Sequence, residues 1–180
     1  MAIIVAVSRS EQHGFSKSPQ PFVRLIAGEG VADDAHRGAT TQHLYLKRKD
    51  PTKPNLAQVH LFAAERLDEL AALGFVLAPG EMGENILVRG LDLHTLPTGT
   101  RLHLGAEALI EITGERTPCS QIDQHRTGLQ QHLWGPRDAS GQRQRRAGVM
   151  AIVLAGGVVT AEDPVRVTLP PAPHQPLGPV

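Results

Sequence analysis

The chain has one thiol, Cys119, and the residues around it are the best placed in the sequence to do chemistry. Leu109, Ile110 and Ile112 form an apolar run leading toward Glu115-Arg116-Thr117-Pro118-Cys119-Ser120. A strand that ends in Thr-Pro-Cys-Ser reads as a strand-to-helix corner. Thr117 is then the N-cap, and Pro118 is the first helical residue, where its missing N–H costs nothing. Cys119 is expected in the first helical turn, next to Arg116. Both the helix dipole and the guanidinium favour the thiolate, the form that attacks electrophiles and binds soft metals. The competing reading is a small buried apolar side chain, the common fate of a free cysteine.

A second dense stretch runs from Gly28 to His43. Gly28, Gly30 and Gly38 supply turns, while Asp33, Asp34, His36 and His43 offer ligands or acid–base groups. Their spacing fits no compact zinc motif, which needs His pairs at helical spacing or Cys pairs. Taken alone, the aspartates and His36 read as an Asx-type turn with a solvent-facing imidazole rather than as a site. Basic residues are fourteen Arg against four Lys. Arginine suits bidentate binding of phosphate or carboxylate, but the many alanines point to a compositional bias, so only a cluster such as Arg143, Arg145 and Arg146 carries a site hypothesis.

At 180 residues the chain is one domain by length. Its net charge of zero argues against a nucleic-acid or membrane-surface protein, since both usually carry an excess of one sign. One cysteine excludes an intramolecular disulfide and a Cys-rich zinc site, and it fits a reducing cytoplasm. The apolar start, Met1 to Val7, is too short for a membrane span and lacks a basic flank, so it reads as a first strand rather than a signal peptide.

The elements that must position these groups follow from periodicity. Residues 3–8 and 22–27 read as strands, with a Ser/Pro/His/Lys loop between them. Leu44 to Leu46 reads as a strand and 47–54 as a charged loop. Val59, Phe62, Ala63, Leu67, Leu70 and Ala71 fall on one helical face, predicting a helix over 57–73 with Asn55 as cap and Gly74 as stop. Short runs at 84–89, 90–93, 101–104 and 108–113, punctuated by Gly and Pro, predict antiparallel strands joined by hairpins. Residues 120–134 read as helical, 135–146 as a basic loop, and 148–154 and 165–169 as late strands before and after a Gly156-Gly157 turn. Residues 170–180, with five prolines, form a tail with no reason to fold by itself.

Several of these segments together resemble the MOSC domain, named for the C-terminal domain of molybdenum cofactor sulfurase. The likeness runs in order from about Phe15 to Thr168. It comprises the turn Val31–Gly38; Gln58-Val59-His60-Leu61 with Glu65; Gly83-Glu84-Asn85-Ile86; Gly90-Leu91-Asp92-Leu93; Leu96-Pro97-Thr98-Gly99; Thr117-Pro118-Cys119-Ser120; and Gly148 to Leu154 with Gly156-Gly157. The departures are Asp33 where glycine is common, Arg37 where a second histidine is common, and Glu162 where glycine precedes the late acidic residue Asp163.

The resemblance implies a mainly β (α+β) fold, a closed or partly open barrel of mostly antiparallel strands with a few peripheral helices. Residues 1–169 are one MOSC-like domain and 170–180 the tail. It implies that Cys119 is the key residue, ligating molybdenum or carrying sulfur as a persulfide. Molybdenum cofactor (molybdopterin) is the implied cofactor, with Cys119 as metal ligand and catalytic residue. Arg116, Arg145 and Arg146 are candidates for its phosphate, Glu84 and Asn85 for orienting it, and His36 for proton donation. Three functions follow: reduction of N-hydroxylated small molecules, sulfur transfer in molybdoenzyme maturation, and non-enzymatic delivery of cofactor. Each needs a separate protein as electron donor, sulfur donor or recipient, in the cytoplasm, and neither nucleic acid nor membrane is an expected partner.

Overall fold

The computed structural model describes residues 1–137 and 141–180. Thirteen strands and three helices follow in chain order: β1 (Ala2–Arg9), β2 (Ser18–Gln20), β3 (Phe22–Ile26), β4 (Gly30–Val31), α1 (Leu44–Lys49), β5 (Val59–Ala63), α2 (Ala64–Ala72), β6 (Ile86–Arg89), β7 (Arg101–Leu104), β8 (Ala108–Glu115), α3 (Ser120–His125), β9 (Trp134–Arg137), β10 (Arg143–Arg145), β11 (Val149–Ala155), β12 (Gly157–Thr160) and β13 (Pro164–Thr168). Seven of them close on themselves in the order β1-β13-β7-β8-β11-β5-β6, with β6 returning to β1. This is the expected barrel, mainly β with peripheral helices.

All its pairings are antiparallel except β5 with β6. A parallel pair needs a crossover rather than a hairpin, and α2 is that crossover. The hairpin of β7 and β8 pairs Arg101 with Glu111 and Leu104 with Ala108. Along β8 the burial alternates, so Ala108, Ile110 and Ile112 enter the barrel. They meet Ile4, Leu61, Ile86, Val88, Leu102, Leu104 and Val149 in one apolar core. A second cluster lies under α2 and α3: Phe62, Leu70, Met82, Leu87, Ile122, Leu129 and Leu133, with Phe15 and Cys119 packed against its edge.

The structure corrects several local readings. The helix over 57–73 splits: Val59–Ala63 is a barrel strand and only Ala64–Ala72 is helical. Val59, His60, Leu61 and Phe62 are all buried because both faces of β5 are covered, and such a continuous apolar run mimics a helical stripe. The stop at Gly74 is correct, where the Phe75 N–H bonds the Leu70 carbonyl at 2.9 Å. Asn55 caps nothing helical; its side chain bonds the carbonyls of His36 and Gly38 instead.

Leu44 to Leu46 belongs to α1, a short helix with no buried residue, not to a strand. Leu93–Thr95 forms a 3-10 turn capped by Asp92 rather than a strand. The helix after Cys119 ends at His125, and a separate 3-10 turn, Gln130–Leu133, follows Gly128. The basic loop holds β9 and β10, and part of it (138–140) lies outside the described residues. Phe22–Ile26 pairs with β4 and with β12, a strand that the reading of late strands omits.

Ile110 is fully buried in the barrel, whereas Leu154 is 37% exposed. Ile110→Ala is expected to cost about 2–5 kcal/mol and Leu154→Ala less than about 1 kcal/mol, measured as urea unfolding midpoints at unchanged slope.

Candidate functional site

Cys119 sits at the end of the segment that leaves β8, and it is the N-cap of α3 rather than a residue of its first turn. Its backbone is extended, at φ −105° and ψ 166°, and its carbonyl accepts the Ile122 N–H at 3.1 Å. Thr117 makes no cap; its hydroxyl accepts a hydrogen bond from Arg145 Nε at 3.2 Å. The thiol is half-buried, with Sγ 3.9 Å from Gln121 Oε1. It borders a cavity of about 420 Å³, a size suited to a cofactor or substrate, whose lining includes Lys17, His36, His43, His60, Asn85 and Arg116.

The wall of that cavity is held by a buried polar node centred on Asp34. Its carboxylate accepts from Lys17 Nζ at 2.5 Å and Asn85 Nδ2 at 3.0 Å, and also from the backbone N–H groups of Ser10 and His36. Burial opposes its charge, but the bonds from His36 and the Lys17 ammonium hold its carboxyl well below the usual range. Burial in turn pulls the Lys17 ammonium down, against the opposing pull of Asp34. Asn85 joins three elements. Its side chain accepts the His60 N–H of β5 at 3.1 Å and donates to Ser8 of β1 at 3.1 Å as well as to Asp34. Its location follows from the turn before β6. Gly83, at φ +78°, lets the backbone pass where a Cβ would collide with the Phe15 carbonyl.

Three imidazoles, His36, His43 and His60, line this cavity, and His13 stands beside the first. His36 Nδ1 faces Asp34 Oδ1 at 3.3 Å, which assigns the Nδ1–H tautomer and leaves Nε2 free. His13 lies 5.1 Å away, ring to ring, with its Nε2 bonded to the Gln42 carbonyl. His43 is held below its ordinary pKa by burial and by the charges of His36 and His13. His60 is deeply buried and stays neutral, pushed down by burial and by Arg116, with Nε2 donating to the Ala147 carbonyl at 2.9 Å.

Arg116 is a cation that lines the cavity together with the thiol and interacts with it. Its guanidinium donates to the Met82 carbonyl and lies 5.5 Å over the Phe15 ring. Burial lowers its pKa, while Cys119 and then Glu84 oppose that shift. Glu84 lies behind the wall. Gly80 N–H bonds its Oε1 at 2.5 Å, and Oε2 is buried without a hydrogen-bond partner among the described residues. Burial pushes this carboxyl up to about 7. Lys17 and Asp34 cancel each other, and Glu84 is partly protonated near neutrality. The positive charge of Arg116 is therefore left to act on the thiol and on any anion in the cavity.

The structure thus brings Cys119, His36, Asn85 and Arg116 to one cavity and sets Glu84 directly behind it. Arg145 stands beside it, bonded to Thr117 and 3.9 Å from Glu115. Arg146 faces elsewhere, lining a second cavity with Glu65, Arg66, Asp92 and His94. The residue reading passes over Lys17, His13 and His60. Lys17 stands in a loop with no periodicity, and its pairing with Asp34 spans 17 residues with no local signal. At Asp33 and Glu162 the backbone is left-handed, at φ 57° and 70°. These are two of the positions where the family commonly has glycine. Arg37, the third departure, turns outward to Glu29 at 2.7 Å.

With this geometry in view, comparison with known proteins is decisive for the family. The sequence pattern of the MOSC domain matches residues 48–166, which include His60, Glu84, Asn85, Arg116 and Cys119. The chain belongs to the MOSC domain family. No curated protein matches it in sequence. Among solved structures it is similar to the YuaD protein of Bacillus subtilis, at 22% identity and TM-score 0.74, covering 93% of this chain and 96% of that one. YiiM of Geobacillus stearothermophilus is similar at 16% identity and TM-score 0.69, with 98% and 80% covered. YiiM of Escherichia coli follows at 17% identity and TM-score 0.60, with 96% and 73% covered. At these identities the likeness speaks for the fold.

The MOSC family is associated with molybdenum cofactor. The donor set here fits such a group. Among the described residues no three His, Cys, Asp or Glu side chains are grouped to hold a bare metal ion. A single soft sulfur donor beside buried cations suits instead a metal that arrives with most of its ligands on an anionic cofactor. No helix among the described residues is long and apolar enough to cross a membrane.

Two measurements check the electrostatics. Glu84 has its pKa raised from 4.5 to about 7 in the folded state, so folding binds a proton between those values. The stability it contributes is full below about pH 4.5 and is lost as pH rises toward 7, a decline of about 3 kcal/mol that Glu84→Gln removes from urea unfolding curves. Lys17→Met strands Asp34 as a buried unpaired carboxylate and is expected to cost about 3–5 kcal/mol, while Lys17→Met with Asp34→Asn costs much less.

Proposed function

We propose that this MOSC protein binds molybdenum cofactor through Cys119 and reduces N-hydroxylated small molecules, with electrons supplied by a separate protein. The observation that carries the proposal is the placement of the chain's sole thiol on a cavity backed by Arg116 and the Lys17–Asp34 pair. When bound, the cofactor supplies two dithiolene sulfurs and a redox-active metal.

The chain's own residues have distinct tasks. Cys119 would hold the metal through its sulfur, with the Arg116 guanidinium beside it. Arg116 also binds anionic groups of the cofactor with charge-assisted N–H bonds. Asn85 has its amide taken up by His60, Ser8 and Asp34, so it shapes the wall rather than touching the ligand. His36, its ring oriented by Asp34 at Nδ1, takes up a proton at the free Nε2 and passes it to the departing hydroxyl. The N–O bond breaks with two electrons from the partner protein and two protons, giving the amine and water.

Expression in a host that makes the cofactor tests this directly. The purified protein is expected to retain near-stoichiometric molybdenum and to reduce a hydroxylamino purine when given an artificial electron donor. Cys119→Ala loses the metal, and Arg116→Leu weakens cofactor retention roughly tenfold to a hundredfold. Equal metal content in Cys119→Ala overturns the ligand assignment. Cyanide-labile sulfur on Cys119 without molybdenum overturns the reductase reading in favour of sulfur transfer, and bound cofactor without turnover does so in favour of cofactor delivery.

A further inference from the structure

Residues 175–180 have the composition of a loose tail, yet they lie bonded along the end of β8. The Gln175 carbonyl accepts the Thr98 N–H at 2.9 Å, and the Pro176 carbonyl accepts the Thr98 hydroxyl at 3.1 Å. The Gly178 carbonyl accepts the Glu115 N–H at 2.7 Å, and the Val180 N–H donates to the Glu115 carbonyl at 3.3 Å. Pro179 pairs with Glu115 as a parallel bridge, and Leu177 packs on the barrel core.

A second observation, in the barrel itself, matches this one. Gly114 interrupts the alternating side chains of β8, and a glycine inside a strand weakens it unless another chain segment needs the space. Here the space is filled. A Cβ on Gly114 would collide with the Gly178 carbonyl oxygen and lie 2.8 Å from Val180 Cγ1. The gap in β8 and the segment that occupies it fit each other.

The consequence falls on the site. Val180 lines the same cavity as Cys119, Met150 and Arg116. Glu115, which clamps the segment, directly precedes Arg116 in the chain. Residues 175–180 also lie beyond the family match, which ends at 166. We infer that this segment is a built wall of the Cys119 cavity and that Val180 is a specificity-determining residue. It narrows the cavity to small or flat molecules and excludes bulky ones. The inference rests on the cavity's being the substrate site, as proposed above, but its test does not need bound molybdenum.

Cys119 is the only thiol, so its alkylation reports access to the cavity. The quantity read is the ratio of rates with a bulky reagent, fluorescein maleimide, and a small one, iodoacetamide. In the full chain the ratio is low. Ending the chain after His174 is expected to raise it roughly tenfold, as a packed wall gives way to solvent. Val180→Ala keeps every backbone bond and raises the ratio by less, in the same direction; it carries the test if the shortened chain does not fold. Gly114→Ala expels the segment, so it raises the ratio in the full chain and adds nothing to the shortened one. An unchanged ratio in both the shortened chain and Val180→Ala, with both folded by circular dichroism, overturns the inference. A raised ratio in a protein that never retains molybdenum upholds the wall and overturns the proposed function. Retained molybdenum with an unchanged ratio does the reverse.

Discussion

The buried charge of Asp34 is the constraint on which the rest of the site depends. A carboxylate out of water survives only with its oxygens fully bonded, and this one draws donors from three separate stretches: Ser10 and Lys17, His36, and Asn85. None of these stretches has much secondary structure where it meets the node. Their convergence on one anion gives the loop wall a defined shape. Asn85 then passes the constraint to the barrel by bonding β1 and β5 at once.

The same node sets the electrostatics beside the thiol. Had Lys17 no partner, the cavity would carry two buried cations of similar standing. Paired with Asp34, Lys17 is neutralised, and Arg116 is left as the uncompensated charge next to Cys119. Glu84 is close enough to oppose it, but burial keeps that carboxyl partly protonated near neutral pH. The short helix α3, which starts after Cys119 and runs six residues, adds little to this field. The positive potential beside Cys119 therefore comes from a side chain, Arg116, more than from a helix terminus.

The site draws on residues both inside and outside the family match. Cys119, Arg116, Asn85 and His60 fall within the MOSC match at 48–166. Lys17, Asp34, His36 and the segment 175–180 lie outside it; of these Lys17, His36 and Val180 line the same cavity, and Asp34 bonds Lys17. The matched span supplies the thiol and most of the barrel strands, while the loop wall and the bonded tail come from the rest of the chain.

Local physics made much of this legible before any coordinates. The β7–β8 hairpin shows as alternation broken by Gly105, and Cys119 shows as a lone thiol after a strand and a proline. Each is a relation between neighbours in the chain, and periodicity or turn chemistry reports such relations directly. Other features depended on tertiary structure. Val59 to Phe62 reads as helix because a strand buried on both faces has no alternation to betray it. The pairing of Lys17 with Asp34, the turning away of Arg146, and the docking of a proline-rich tail on Gly114 leave no periodic trace. They arise from contacts between segments far apart in the chain, where burial removes water and makes each polar group find a partner. Only the folded structure decides which partner that is.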